Sequence, residues 1–424
     1  MRSTSLFIPF SSVLPRSTSI LTFNNLTTSI SQTVSSTMAP PSLDTAAPAY
    51  TFNDLKNKVQ QSLDIDATPK ATPYTYGGSL DSFNSFDITP IIGREFPDVD
   101  LRAVLNAPNR EDLIHDLAVT ISDRGVVFFR NQSLTTDEQK QLGLLLGELT
   151  GKPATSGLHI HPVINSGRDI GINEDSGEVT RKDDEISVIS SDLNRKLYSD
   201  YGSQFADRLN NRVRDNFAST GWHSDITFEP VPANYTILKI HTLPPTGGDT
   251  LWASGYELYD RISPKLRQFL DTATGTFAQP NFNAAADKHA FKLYSAPRGA
   301  PENVGEDLTA IHPIVRTNPV TGWKSIFALG SHFSHINGLT KYESDWFKDY
   351  FHRLVTDNHD LQVRFKWNKN DVAIWDNRSV YHTATYDYGG KRQGNRVVAL
   401  GERPYFDPAS KSRREALGEV DAEA

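Results

Sequence analysis

The sequence predicts a mainly β domain with flanking helices, either a barrel or a double-sheet jelly roll, and three observations lead there. From Trp222 onward, short runs rich in β-branched and aromatic residues alternate with Gly, Pro and Asn turns, at 235–241, 248–253, 312–316, 325–329, 362–366, 371–375 and 396–401. Spacing of that kind suits closed or two-layered antiparallel sheets rather than strand–helix–strand repeats. The two longer stretches with helical apolar spacing, 253–273 and 341–357, are few enough to pack outside such a sheet. No internal repeat of solenoid period interrupts the pattern.

Taken in order, the first 40 residues are rich in Ser and Thr, carry Arg2 and Arg16, and hold no acidic residue before Asp44. They read as a disordered or targeting extension, and Met38 offers an alternative start. A cytoplasmic location is expected, or a mitochondrial one if residues 1–37 are a transit peptide. Residues 41–84 read as a linker with one short amphipathic helix near 52–63. The catalytic domain is expected over 85–410, opening at Phe86-Asp87-Ile88-Thr89-Pro90. A helix at 110–122 leads to the apolar strand Gly125-Val126-Val127-Phe128-Phe129-Arg130. Thr135, three residues before Glu138, then opens a helix by a capping box, continued by Leu142, Leu145 and Leu146. Residues 411–424 read as a charged tail.

Composition excludes several functions. The net charge of −8 is spread without long like-charge blocks, which argues against a nucleic-acid partner. No run approaches the roughly 18 consecutive apolar residues of a membrane span. Cysteine is absent, so disulfides, thiolate zinc sites and cysteine nucleophiles are all excluded, and a metal must be held by His, Asp or Glu.

Gly221-Trp222-His223-Ser224-Asp225-Ile226-Thr227-Phe228 places a His and an Asp two residues apart in a β-prone run, and side chains at i and i+2 of a strand share a face. Far downstream, the strand-like run Asp371-Val372-Ala373-Ile374-Trp375-Asp376-Asn377-Arg378 leads to Val380-Tyr381-His382. A His-x-Asp pair joined by a distant His is the two-His-one-carboxylate arrangement of non-haem Fe(II) oxygenases, which leaves positions open for a co-substrate and oxygen. With 12 histidines in the chain, such a pair also arises by chance, and a hydrogen-bonded core histidine is the ordinary alternative.

The surrounding motifs decide between these. His159-Ile160-His161-Pro162-Val163, Trp222-His223-Ser224-Asp225, Thr246-Gly247-Gly248-Asp249-Thr250-Leu251-Trp252, His312-Pro313-Ile314-Val315-Arg316, Ala373-Ile374-Trp375-Asp376-Asn377-Arg378, and His382 followed by Arg392 and Arg396 occur in that order over 86–408. In these motifs the chain resembles the taurine/2-oxoglutarate dioxygenase family, especially its fungal sulfonate-dioxygenase-like branch. The resemblance implies a cupin-like double-stranded β-helix with Fe(II) bound by His223, Asp225 and His382. It also implies 2-oxoglutarate held by Thr250 and Arg392, O2 as second co-substrate, and homo-oligomers.

A buried dicarboxylate needs a fixed cation, and a guanidinium fork offers one carboxylate two charge-assisted hydrogen bonds. Arg396, four residues after Arg392, faces the same side of a strand. In the family this second arginine, with a histidine matched here by His161, grips the substrate's sulfonate. For both arginines the ordinary alternative is a solvated surface charge, and Thr250 could be a simple strand residue. Two features depart from the taurine enzymes: Ile164 stands where they carry a Tyr, and the interval between His161 and His223 is long and charged, as a lid or rim, or a plain loop, would be.

The implied reaction is oxidative decarboxylation of 2-oxoglutarate to succinate and carbon dioxide, coupled to hydroxylation of a small anionic substrate. A carbon bearing a sulfonate would then release sulfite and an aldehyde. Asp225 argues for hydroxylation, because relatives that halogenate lack this carboxylate. The same chemistry on a carboxylate such as an aryloxyacetate, a non-catalytic metal- or anion-binding barrel, and a zinc hydrolase are the competing readings. The last lacks a His-Glu-x-x-His helix.

Overall fold

The computed structural model describes residues 73–163, 183–191 and 218–419. The N-terminal extension, the helix expected at 52–63, Ile164, and most of the interval between His161 and His223 lie outside the described residues.

The largest sheet has seven strands, in the order Phe86–Asp87, Arg94–Phe96, Val126–Phe129, Asp371–Asp376, Ala233–Thr242, Gln393–Leu400 and Ile186–Ser190. All neighbours are antiparallel except Arg94–Phe96 beside Val126–Phe129. A three-stranded sheet of Gln362–Phe365, Thr250–Ser254 and Val380–Ala384 lies against it, and a second one joins Phe333–Ile336, Thr274–Ala278 and Thr309–Pro313.

The two-residue period of a strand explains how the large sheet is buried on both faces. In Asp371–Asp376, Val372 and Ile374 join a core with Leu113, Ile114 and Leu117 of the helix Arg110–Arg124 and Leu142 and Leu146 of the helix Thr136–Glu148. Ala373 and Trp375 point the other way, into a core shared with Trp252, Val363 and Val380 of the three-stranded sheet. Trp252 and Trp375 meet edge to face with centroids 5.7 Å apart, a contact worth about 1 kcal/mol beyond its buried area. The site side of the large sheet is therefore the side facing this smaller sheet.

Several expectations hold and several shift. The capping box forms as expected: the Thr135 side chain accepts from the Glu138 backbone, and the Glu138 side chain from the Thr135 backbone. The stretch 253–273 is not one helix. Thr250–Ser254 is a strand, Ser254 caps the short helix Gly255–Asp260, and a second helix, Pro264–Leu270, starts at Pro264, which has no N–H to continue the first. The stretch 312–316 divides at Ile314 into Thr309–Pro313 and Val315–Thr317, which pair in different sheets.

Both ends of the domain reach further than expected. Within the anticipated linker, Gly77 and Ser79 donate their backbone N–H groups to the Asp116 carboxylate, each at 2.7 Å, and Leu80 is in the core. At the other end, the stretch expected as a tail contains the helix Arg413–Leu417, capped by Ser412 and docked on Gly255–Asp260 through an Arg414–Glu257 ion pair. No helix among the described residues is long and apolar enough to cross a membrane.

Candidate active site

His223, Asp225 and His382 converge, although they lie up to 159 positions apart in the chain. One ligand atom from each lies within 4.8 Å of the other two. Asp225 Oδ1 is 3.9 Å from Nε2 of both histidines. The convergence starts in the backbone: the His223 N–H donates to the His382 carbonyl at 3.0 Å and the His382 N–H to the His223 carbonyl at 2.8 Å. This single bridge sets the two imidazoles side by side, centroids 4.2 Å apart.

The expected reason for the His223–Asp225 pairing is corrected. His223 lies in an isolated bridge, and residues 225–228 form a turn rather than a strand. Ile226 takes φ 47°, a left-handed conformation that a β-branched residue rarely adopts and that costs of order 1–2 kcal/mol. The turn, and not the strand alternation, aims the carboxylate. Strain of this kind is characteristic of functional sites. Gly330 packs behind: a Cβ there would come within 2.8 Å of His223 Cα.

Each of the three side chains is in the state a metal ligand requires. His223 Nδ1 lies 2.8 Å from the Gly221 carbonyl, to which it donates, so the lone pair is on Nε2. Burial holds the His382 imidazole near a pKa of about 3, with the neighbouring His223 acting in the same direction, so it is neutral. Asp225 is buried, which alone would raise its pKa, but Arg396, His382 and His223 together hold it well below the usual carboxylate range. Two imidazoles and one carboxylate form an N/O donor set with no thiolate, which suits Fe(II). His382 Nδ1 is buried and has no hydrogen-bond partner among the described residues.

The second cluster surrounds Arg392. Its side chain is 4% exposed, which excludes the solvated-surface alternative, and no carboxylate among the described residues pairs with it. Nε donates to the Gly248 carbonyl at 2.9 Å and Nη2 to Thr250 Oγ1 at 3.3 Å. Thr250 Oγ1 also accepts from Trp367 Nε1 at 3.0 Å, so its own proton is left to donate elsewhere. In the smaller sheet Thr250 and His382 are diagonal neighbours: Trp252 pairs with His382, and Thr250 with Ala384. Part of the interval expected as a lid takes part here. Ile186–Ser190 is the edge strand beside Gln393–Leu400, and Ser191 exchanges hydrogen bonds with the Arg392 backbone in both directions.

Gly248, with φ 78°, lets the chain pass beside this guanidinium; a Cβ would sit 3.0 Å from Arg392 Cδ and 3.2 Å from Nε. Gly248→Ala is expected to lose about 1–2 kcal/mol of stability from the left-handed backbone, read from urea midpoints.

Arg396 donates from Nη1 to Asp225 Oδ1 at 2.8 Å. Its Nε is buried without a partner among the described residues, which leave the other edge of the fork unused. His161 is buried; Nδ1 accepts from the Val163 N–H, which puts the proton on Nε2. Desolvation, aided by His159 and Arg396, keeps it neutral. It is therefore a neutral hydrogen-bond donor rather than a second cation. A further buried imidazole, His332, was not anticipated. It rests edge-on against Phe228 at 5.0 Å, with Nδ1 3.2 Å from Thr227 Oγ1.

Four buried histidines, His161, His312, His332 and His382, have pKa values pushed far below 6.5, to about 3 for the last three, mainly by desolvation. The unfolded chain takes up these protons as pH falls through about 6.5, whereas the folded chain does not. Their contribution to stability is thus fully present above about 6.5 and is lost as pH falls toward the folded values. Metal-free protein is expected to lose more than about 1 kcal/mol per pH unit between pH 6 and 5, read from urea midpoints. A flat profile would show that these imidazoles are protonated in the fold.

Two histidines and a carboxylate between facing sheets, beside a buried guanidinium without a counter-ion, define a non-haem iron oxygenase scaffold. The chain belongs to the taurine catabolism dioxygenase TauD, TfdA family, whose pattern matches residues 84–398. It is 48% identical over 353 residues to the alpha-ketoglutarate-dependent dioxygenase btcD of Neocamarosporium betae, covering 80% of this chain and 96% of the relative. It is 30% identical over 322 residues to the alpha-ketoglutarate-dependent sulfonate dioxygenase of Saccharomyces cerevisiae, covering 76% of this chain and 67% of that one. The fold matches a crystal structure of a taurine dioxygenase from Burkholderia xenovorans with TM-score 0.54 and 24% identity, covering 81% of this chain and all of the other. The protein is accordingly an Fe(II)- and 2-oxoglutarate-dependent dioxygenase.

Proposed function

We propose that this dioxygenase hydroxylates a small sulfonate inside a closed double-stranded β-helix, with His223, Asp225 and His382 holding the iron, Thr250 and Arg392 the 2-oxoglutarate, and Arg396 and His161 the substrate. The observation that carries the proposal is the pair of guanidinium groups beside the triad. Arg392 is buried without a carboxylate, and Arg396 keeps one fork edge unused. Arg396 is already paired with Asp225, whereas the desolvated Arg392 is costly unless an anion completes it.

Bound Fe(II) supplies oxygen activation coupled to decarboxylation of 2-oxoglutarate. The protein's own groups do the positioning. The distal carboxylate of 2-oxoglutarate accepts from Arg392 and from the Thr250 hydroxyl, whose proton is available because its oxygen already accepts twice. The substrate anion accepts from the free edge of Arg396 and from His161 Nε2–H, one charged donor and one neutral donor. Hydroxylation at the carbon bearing the sulfonate gives a 1-hydroxysulfonate, which expels sulfite as the hydroxyl proton leaves and the carbonyl forms. The similarity to the sulfonate dioxygenase of Saccharomyces cerevisiae supports this class of substrate.

The test is a panel of alkylsulfonates and aryloxyacetates, scored for succinate and sulfite in parallel. Sulfite formed in step with succinate is the expected result. Succinate stimulated by carboxylates with no sulfite from any sulfonate would transfer the proposal to a carboxylate substrate, which Arg396 would accept equally well.

A further inference from the structure

We infer that Asn377 and Thr236 are positioning residues that fix which oxygen of Asp225 faces the two histidines; the inference rests on the metal site proposed above. Both residues are buried.

The Asn377 amide has one possible orientation. Its Oδ1 accepts from the Asp225 backbone N–H at 3.1 Å and from the Trp375 indole N–H at 3.1 Å. Two N–H donors exclude the flipped amide, because a flip would oppose donor to donor. The Nδ2 group therefore points the other way and donates to Thr236 Oγ1 at 2.8 Å. The threonine hydroxyl, having accepted there, directs its proton to Asp225 Oδ2 at 3.1 Å. Each step follows from the one before. The relay ends on an ionised carboxylate oxygen that can only accept.

Asn377 thus grips the residue at two points, its backbone N–H directly and its far carboxylate oxygen through Thr236. Oδ2 is held by the relay, while Oδ1 accepts from Arg396 Nη1 at 2.8 Å and lies 3.9 Å from both histidine Nε2 atoms. The neighbouring backbone is tied in as well: Ser224 Oγ donates to the Asn377 carbonyl at 2.8 Å, and the Asn377 N–H to the Asn234 carbonyl at 2.7 Å. Trp375 adds a link to the remaining ligand, since its ring lies 4.8 Å from that of His382. A turn containing a strained Ile226 needs such external fixing, and one amide supplies it from the strand end that leads to His382.

The test measures Mn(II) binding to metal-free protein by the loss of the free-ion electron paramagnetic resonance signal, with no turnover involved. Thr236→Val keeps the shape and removes the hydroxyl, and Thr236→Ser restores it. The expected result is Mn(II) affinity lower by about 10–100-fold in Thr236→Val, near wild type in Thr236→Ser, and similarly lowered in Asn377→Asp. Co(II)-loaded Thr236→Val is expected to show displaced d–d bands, as Oδ2 becomes free to coordinate. Circular dichroism and urea midpoints of the metal-free variants separate this from misfolding, and if Thr236→Val does not fold, the Asn377→Asp and Thr236→Ser pair decides. Wild-type affinity in folded Thr236→Val or Asn377→Asp overturns the relay while leaving the metal site standing. Absence of Mn(II) and Co(II) binding to the wild type overturns the site and the relay together.

Discussion

Asp225→Ala is expected to abolish the visible charge-transfer band that Fe(II) and 2-oxoglutarate give together under anaerobic conditions, and to reduce turnover by more than about a thousandfold. The variant loses one of three donors, and it also leaves Arg396 facing two imidazoles without the carboxylate it now pairs with at 2.8 Å. Breaking a buried ion pair on one side costs about 3–5 kcal/mol, because the surviving charge has no compensation. The urea midpoint should therefore fall along with activity. Adding Arg396→Met to Asp225→Ala removes the stranded charge, and it is expected to restore stability without restoring the band. A wild-type band in Asp225→Ala would exclude this carboxylate from the metal. Loss of the band with full stability would show that the Asp225–Arg396 pair contributes nothing to the fold.

Arg392→Met is the second large effect, and its two parts have opposite signs. The guanidinium is buried, has no carboxylate partner, and has its pKa lowered by desolvation. Replacing it with an apolar chain of similar length removes that desolvation penalty, at the expense of hydrogen bonds to the Gly248 carbonyl and Thr250. Metal-free Arg392→Met is expected to be as stable as the wild type or more so. Its 2-oxoglutarate affinity should fall by about a hundredfold, the effect of losing a buried charged pair worth roughly 3 kcal/mol. Arg392→Lys, with the charge but not the planar fork, should fall between the two. Titration of the charge-transfer band and urea denaturation measure the two parts separately. A destabilised variant with normal affinity would make Arg392 a structural residue.

The metal-site candidates could be read from the chain because their chemistry restricts residue types. With no cysteine, an iron centre has only His, Asp and Glu to use, and ordered motifs placed His223, Asp225 and His382 among them. Thr250 and Arg392, named from the same motifs, do meet in space. The strands were legible where alternation was strong, as in Asp371–Asp376, and so was the capping box at Thr135. The break before Pro264 was missed, because apolar spacing continues across a proline while hydrogen bonding does not.

What the sequence by itself determined is the set of candidate donor groups that the fold brings together and the alternation that buries both faces of the large sheet. It did not determine how the donors are aimed. The His223–Asp225 segment looked like a strand, yet a turn with a left-handed Ile226 and one bridge to His382 place the ligands. Thr236, Asn377, Trp367 and Ser191 support the site through contacts spanning 11 to 201 positions of sequence. Only the tertiary structure could decide these, because a hydrogen bond between distant residues depends on which strands pair and in what register. It also decided that Arg392 is buried without a counter-ion while Arg396 already holds Asp225, since a guanidinium's burial and its partners depend on what the folded chain packs around it.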